Sequence, residues 1–386
     1  MVIRKLCAED YDELLSVLNT TFTRQNKREM NFLVELPRMW ERSDEYMRKH
    51  IGLFEDGKLC ATVGVYPLPV RICGEELLFA TTGNVATLPE YEGRGYFSTL
   101  FPLAMQELER GGYDMARLGG QRQRYERFGF IDAGQLYRCI LTEANRRKCL
   151  GEPDSAITFS PFLREDIEAL SFARILSNEK PFHVEREGND SERDVFRCLQ
   201  NKHCKAYVAR KNGTCIGYVC ATKEGKKIHE LRARDCADFM AIVCAWQAYV
   251  GDTIDIPVSP DMQEELASLR ACAQDVTLIA PTMFRAVRWE RVCNALMKLS
   301  HTMRELPKGE LILKVKGYGV LHLFVNENGV GCELAVGAEP MLSLSWQDAS
   351  NLLFGPFAPT LLGEPLPLFC HAWFPLPLTW NFLDIV

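Results

Sequence analysis

Asn84-Val-Ala-Thr-Leu-Pro-Glu-Tyr-Glu-Gly-Arg-Gly-Tyr-Phe-Ser98 is the stretch whose reading decides the fold. Up to Thr87 it reads as the end of a strand, Pro89 punctuates a turn, and Gly93 and Gly95 stand one residue apart. Apolar residues then recur at Phe97, Leu100, Phe101, Ala104, Met105 and Leu108, the spacing of a helix. Glycines between strand and helix let the backbone curl so that successive amides face one point, and the helix adds its positive dipole end. By itself such a turn is either an anion cradle or a plain connection. Its neighbours decide which.

Upstream, residues 2–6 read as a strand, a helix starts near residue 9, and a second helical stretch runs from 32 to 46. Residues 51–54 and 58–70 flank a Glu-Asp-Gly turn at 55–57, the pattern of a hairpin. A turn at Cys73-Gly74 leads into the strand 77–87. Downstream come a short strand at 115–118, Gly119-Gly120, a polar helix, and Tyr125-Glu-Arg-Phe-Gly129-Phe130. The order is therefore strand, two helices, three antiparallel strands, helix, strand, helix, strand.

That order, with a glycine turn after the fourth strand and Tyr-x-x-x-Gly-Phe after the next, resembles the GNAT superfamily of acyl-CoA-dependent N-acyltransferases. In that pattern the turn reads Arg or Gln, two residues, Gly, one residue, Gly or Ala; here Glu92, Gly95 and Phe97 hold the three marked positions. The resemblance implies that backbone amides of Gly93, Arg94, Gly95, Tyr96, Phe97 and Ser98 hold the pyrophosphate of acetyl-CoA, with Arg94 adding positive charge. It also implies that the backbone of Val85, Ala86 and Thr87 pairs with pantetheine and polarises the thioester carbonyl. Tyr125 takes the place of the family's acid: a phenol of ordinary pKa about 10 keeps its proton at neutral pH until a thiolate needs it. The plain alternative for Tyr125 is a packing aromatic.

Residues 151–288 repeat the theme. Helices are expected at 163–177 and 190–200, a hairpin crosses Asn212-Gly213, and a strand at 228–234 passes into a helix through Arg234-Asp235-Cys236 with no glycine turn. This is the pattern of a second copy that has lost its anion site. In the third segment a helix runs through Leu299, alternation over 311–325 and 330–336 predicts an antiparallel sheet, and residues 352–386 are rich in Pro, Phe and Trp without Lys or Arg. Such a tail has to be packed. The plan, an α+β chain of mixed sheets, is similar to the enhanced intracellular survival family. That resemblance implies an acetyltransferase domain at 1–150, a degenerate second copy at 151–288, and a sterol carrier protein-like domain at 289–386. It further implies a homo-oligomer, and a chain-terminal carboxylate, here on Val386, that assists the base; Asp384 is the rival acidic group. The acceptor it allows is a primary amine of aminoglycoside, polyamine or lysine type. The alternative is a non-catalytic module binding acyl-CoA, lipid or protein.

Composition narrows the class. With 386 residues, two or three domains are expected. A net charge of -6 argues against a nucleic-acid partner, and 47% hydrophobic with 25% charged residues is ordinary globular composition. Fifteen cysteines without a Cys-x-x-Cys pair read as reduced thiols, so a cytoplasmic setting is expected. The seven histidines form no metal motif, so no metal is expected. The apolar run at 239–250 is too short to span a bilayer, so no membrane partner is expected. Phe22, Phe32, Trp40 and Tyr46 are expected in the core rather than in a pocket.

Overall fold

In the computed structural model, residues 1–188, 191, 193–358 and 365–384 are described. The first sheet is built from β1 (Val2–Lys5), β2 (His50–Glu55), β3 (Lys58–Ile72), β4 (Glu75–Thr87), β5 (Met115–Leu118) and β6 (Ile131–Ala133). β1 to β4 pair antiparallel in sequence order, whereas β4 and β5 run parallel. A parallel pair needs a crossover, and the helix Tyr96–Arg110 supplies it, burying Tyr96, Leu100, Phe101, Ala104, Met105 and Leu108. The opposite face carries the helix Tyr11–Asn26, which buries Leu14, Val17, Leu18 and Thr21.

The helical stretch expected over 32–46 is instead two single turns, Phe32–Glu35 and Asp44–Met47, capped by the side chains of Asn31 and Ser43. Pro37 lies between them, and a proline disfavours helix in the residue before it. Phe32 and Tyr46 are buried, with Phe22 and Trp40 packed against the same cluster, so these four aromatics are core. Their rings succeed one another at 5.1, 5.9 and 6.0 Å.

Strands are exchanged in both directions between the first and second expected domains, while the last sheet keeps its own strands. β7 (Leu136–Leu141) leaves the first sheet, and β8 (Ile157–Pro161) opens the second, which continues with β10 (Lys205–Lys211), β11 (Thr214–Ala221) and β12 (Ile228–Ala233). β9 (Phe182–Val184) pairs back onto the far end of β3. β7 sits between β13 (Ile254–Val258) and β14 (Asp275–Ile279), and β15 (Thr282–Ala286) returns to fill the gap between β5 and β6. The expected helix at 163–177 is Ile167–Asn178, and that at 190–200 is Val195–Leu199. Helix Cys236–Val250 follows β12, as the glycine-turn helix follows β4.

The last sheet contains β16 (Gly309–Val315), β17 (Gly319–Asn326), β18 (Gly329–Leu334) and β19 (Leu342–Leu344), covered by helix Trp289–Met303. Its core is continuous with the first sheet. Leu313 and Leu323 from the last sheet, Trp373 and Trp380 from the tail, and Phe79, Met115 and Phe284 from the first sheet belong to one buried cluster. Trp380 stacks on Phe79 at 6.0 Å with an 8° interplanar angle and meets Phe284 edge-on at 6.0 Å. The apolar tail is thus the seam that joins the sheets.

Candidate active site

The geometry of β4 creates the site. β4 and β5 pair from Phe79–Met115 to Thr82–Leu118 and no further, although β4 continues to Thr87. On its other side β3 holds Ala86 and Thr87 opposite Thr62 and Ala61. Between them the register shifts, so that Val63 alone faces Asn84 and Val85, a β-bulge. The bulge bends β4 away from β5 and leaves the β5-side edge of Val85, Ala86 and Thr87 without a strand partner among the described residues, although the Thr87 carbonyl accepts from the Thr21 hydroxyl at 3.2 Å. Unpaired N–H and C=O groups on such an edge accept an extended amide chain as a further strand.

The bulge is held from below. Asn84 has φ +51°, a left-handed conformation that few side chains tolerate, though asparagine is among them. Its Nδ2 donates to the Tyr66 hydroxyl at 2.5 Å, and that hydroxyl lies 2.6 Å from His50 Nε2. His50 Nδ1 faces the Met47 carbonyl at 3.3 Å, which places the ring proton on Nδ1 and leaves Nε2 to accept from Tyr66. Burial pushes the imidazole down to about 3, so it is neutral in this role. Gly64 makes room for the arrangement, since a Cβ there would come 2.5 Å from the Tyr66 hydroxyl oxygen.

At the end of β4 the turn has the cradle's backbone. Gly93 and Gly95 both have φ +80°, with open space where a Cβ would stand, so conformation rather than crowding requires glycine. Helix Tyr96–Arg110 starts at Gly95 with no acidic residue in its first turn. A cleft of about 480 Å³ joins the turn to Val85, Ala86 and Thr87 and is also lined by Gln25, Glu92, Phe97 and Arg124.

The charges around the turn differ from the sequence expectation. Arg94 pairs with Glu55 at 3.0 Å and lies over the Tyr91 ring at 4.7 Å. Tyr96 also bonds Glu55. Glu92 is neutralised by Arg24 at 3.4 Å. The cation lining the cleft is Arg124, resting over Phe97 at 5.1 Å. Arg24, Gln25 and Arg124 come from the first helix and from the segment before Tyr125. No local motif marks them, because only the fold brings them to the turn.

Tyr125 is buried, its ring 5.9 Å from Phe97 and 5.2 Å from Phe101. Phe97 also borders the open edge of β4, so one aromatic residue spans the distance between the tyrosine and the strand. Burial raises the Tyr125 hydroxyl, and nearby Arg124 partly opposes that rise.

The tail approaches from the other side. Asp384 is buried, 3.6 Å from Arg186, and burial raises its carboxyl. Arg186 is bidentate to Glu230 at 2.6 and 2.9 Å. Burial pushes Glu230 up, yet the charges of Arg186 and Arg232 outweigh it and hold the carboxyl at about 2. Arg117 on β5 is pushed down to about 9 by burial, with Arg38 adding to the fall and Asp384 opposing it. Val386 lies outside the described residues. Among the described residues no group of three or more His, Cys, Asp or Glu is placed to hold a metal, and no helix is long and apolar enough to cross a membrane.

An open strand edge, a glycine cradle opening a helix, and a buried tyrosine sharing one aromatic with both define this region, and residues 2–131 match the family model of the acetyltransferase (GNAT) domain. It is a GNAT acetyltransferase domain. Solved structures extend the likeness over the chain. Eis1 from Mycobacterium abscessus aligns with TM-score 0.65 and 16% identity over 99% of this chain and 98% of its own. A GCN5-related N-acetyltransferase from Anabaena variabilis ATCC 29413 gives 0.65 and 15%, covering 98% of each chain. A probable N-acyltransferase from Enterococcus faecalis V583 gives 0.63 and 15%, covering 90% of this chain and 88% of that one. Identities this low speak for the fold. No curated protein matches the chain in sequence. With its GNAT domain the chain is an acyl-CoA-dependent N-acetyltransferase of α+β architecture.

Proposed function

We propose that the protein transfers an acetyl group from acetyl-CoA to a primary amine by direct attack in a ternary complex. The observation that carries this reading is the open edge of Val85, Ala86 and Thr87 leading directly into the glycine cradle. Pyrophosphate sits on the amides of residues 93–98, and pantetheine adds to the free edge of β4. An N–H of that edge then meets the thioester oxygen as it gains charge. The amine adds to the carbonyl carbon, the tetrahedral adduct expels the thiolate, and Tyr125 gives it a proton. The deprotonating group is a carboxylate of the tail acting through water, that of Val386 or of Asp384; an α-carboxyl of ordinary pKa about 3.5 is too weak a base to take an ammonium proton directly.

The rest of the reading follows the family likeness: an acetyltransferase domain at 1–150, a second copy at 151–288, a sterol carrier-like domain at 289–386, and assembly into a homo-oligomer. The acceptor is an aminoglycoside, polyamine or lysine-type amine. The test follows thiol release from acetyl-CoA across a panel of such amines. Tyr125→Phe is expected to lower kcat by about 10²-fold with little change in the KM for acetyl-CoA. An unchanged rate would remove Tyr125 from the mechanism, and a one-residue extension beyond Val386 with full activity would remove the terminal carboxylate.

A further inference from the structure

The second copy keeps a cleft of its own. β12 and β13 meet at a single parallel bridge, Lys227 to Asp255, and separate beyond it, much as β4 and β5 separate beyond Thr82 and Leu118. A cavity of about 280 Å³ occupies that divergence. Its walls come from β12, β9, the ends of β7, β13 and β14, and the tail, and no residue before Leu136 lines it. It shares no lining residue with the acetyl-CoA cleft, and Asp384 is the one group that the proposed chemistry and this cavity have in common. No glycine turn opens the adjoining helix, where Asp235 caps instead, so a second CoA pyrophosphate is excluded.

The charges in the wall are unequal. Glu230 is saturated by Arg186, by the Tyr218 hydroxyl at 2.5 Å and by Asn381. Lys227 and Arg232, by contrast, form no ion pair within 4 Å among the described residues, although Arg232 Nη1 donates to Met262 Sδ at 3.1 Å, and burial with Arg138 as neighbour lowers the lysine. Around them lie apolar surfaces, Ile228, Leu231, Trp380 and Phe382, the last stacked on His229 at 4.0 Å. Buried polar atoms without a hydrogen-bond partner also gather in these walls: Arg186 Nε, Arg232 Nε, Thr379 Oγ1, Trp380 Nε1 and Asp384 Oδ1. A buried polar atom without a hydrogen-bond partner is destabilising, and a cluster of them marks a site kept for something other than stability. The charge of Arg232 acts on Glu230 and Asp384, but the wall as a whole carries four cations, Arg138, Arg186, Lys227 and Arg232, against two carboxylates, Glu230 and Asp384, a balance that disfavours a protonated amine and favours a negative charge.

We infer that this cleft is a second binding site, for a small organic carboxylate with an aromatic or aliphatic body, Lys227 and Arg232 receiving the charge. Because residues 379–384 form one wall, ligand binding and the tail's placement are linked, and each stabilises the other.

The test titrates the full chain with phenylacetate, phenylacetamide and phenethylamine by calorimetry, with and without saturating acetyl-CoA. Phenylacetate is expected to bind under both conditions and the other two at least about tenfold more weakly, roughly the worth of one charge-assisted contact. The double variant Lys227→Gln/Arg232→Gln is expected to lose phenylacetate binding about tenfold or more while its affinity for acetyl-CoA, which also reports correct folding, is unchanged. Preference for phenethylamine, loss of phenylacetate binding when acetyl-CoA is present, equal binding by the double variant, or no binding of any probe at millimolar concentration would each overturn the assignment. Lys227→Arg separates charge from packing, since restored binding is expected only if the charge is what the ligand meets.

Discussion

His50 is fully buried and neutral, and that fixes a pH dependence. In the unfolded chain an imidazole takes up a proton below about 6.5, whereas in the fold it does so only near 3. Between those values the unfolded state binds the extra proton, so the stability present above pH 6.5 is lost as pH falls toward 3, by about 1.4 kcal/mol per pH unit. Urea unfolding at pH 7 and pH 5 measures it, and His50→Gln should remove that part of the slope. The same scale decides the cradle. Gly95→Ala places a Cβ on a backbone at φ +80°, a strain of about 1–2 kcal/mol in a position otherwise open. Acetyl-CoA affinity, measured by calorimetry, should fall by about tenfold as the turn relaxes. Tyr125 and the two glycines were legible because motif spacing marks them. The pairing of Glu92 with Arg24 was not, since the partners are brought together only when helix Tyr11–Asn26 packs on the sheet.

At the scale of the element, the bulge in β4 is the part that leaves an open edge on an otherwise ordinary strand. Asn84→Ala removes both the side-chain tie to Tyr66 and the residue type suited to φ +51°. The expected result is a lower kcat, about tenfold or more, with the melting temperature reduced by a few degrees; Asn84→Gly, which restores only the backbone freedom, should recover stability but not rate. If the Gly variant matches the native rate, the His50-Tyr66-Asn84 chain has no positioning role. β1 to β5 could be read from alternation and turn residues because each of these strands pairs with its neighbour in sequence or follows a single crossover. The exchange of β7 and β15 could not. Strand periodicity says which face is buried but not which distant edge a strand joins, so residues 282–286 fall in the second expected segment, 151–288, although they complete the first sheet.

At the scale of the molecule, the sheets are not independent. Trp380→Ala should cost about 3–5 kcal/mol, the usual loss for a buried tryptophan. Because its ring contacts Phe79 and Phe284, the loss should appear in the unfolding of the first sheet as well as the last. Chemical denaturation followed by tryptophan fluorescence and by acetyl-CoA binding checks this, with coincident transitions expected. Acetyl-CoA at a hundred times its dissociation constant should add about 2.7 kcal/mol to that common transition.

The returning strand also sets a timetable for synthesis. β6 ends at Ala133, but the strand that must lie between it and β5 begins at Thr282. At about 5–20 residues per second, a ribosome needs roughly 7–30 s to make the intervening chain, and longer to reach Trp380. During that interval the emerging first sheet has an unfilled gap with the edges of β5 and β6 exposed to other strands. A nascent chain of this protein is therefore most exposed to mispairing in mid-translation, and its catalytic sheet can close only after the second sheet has been made.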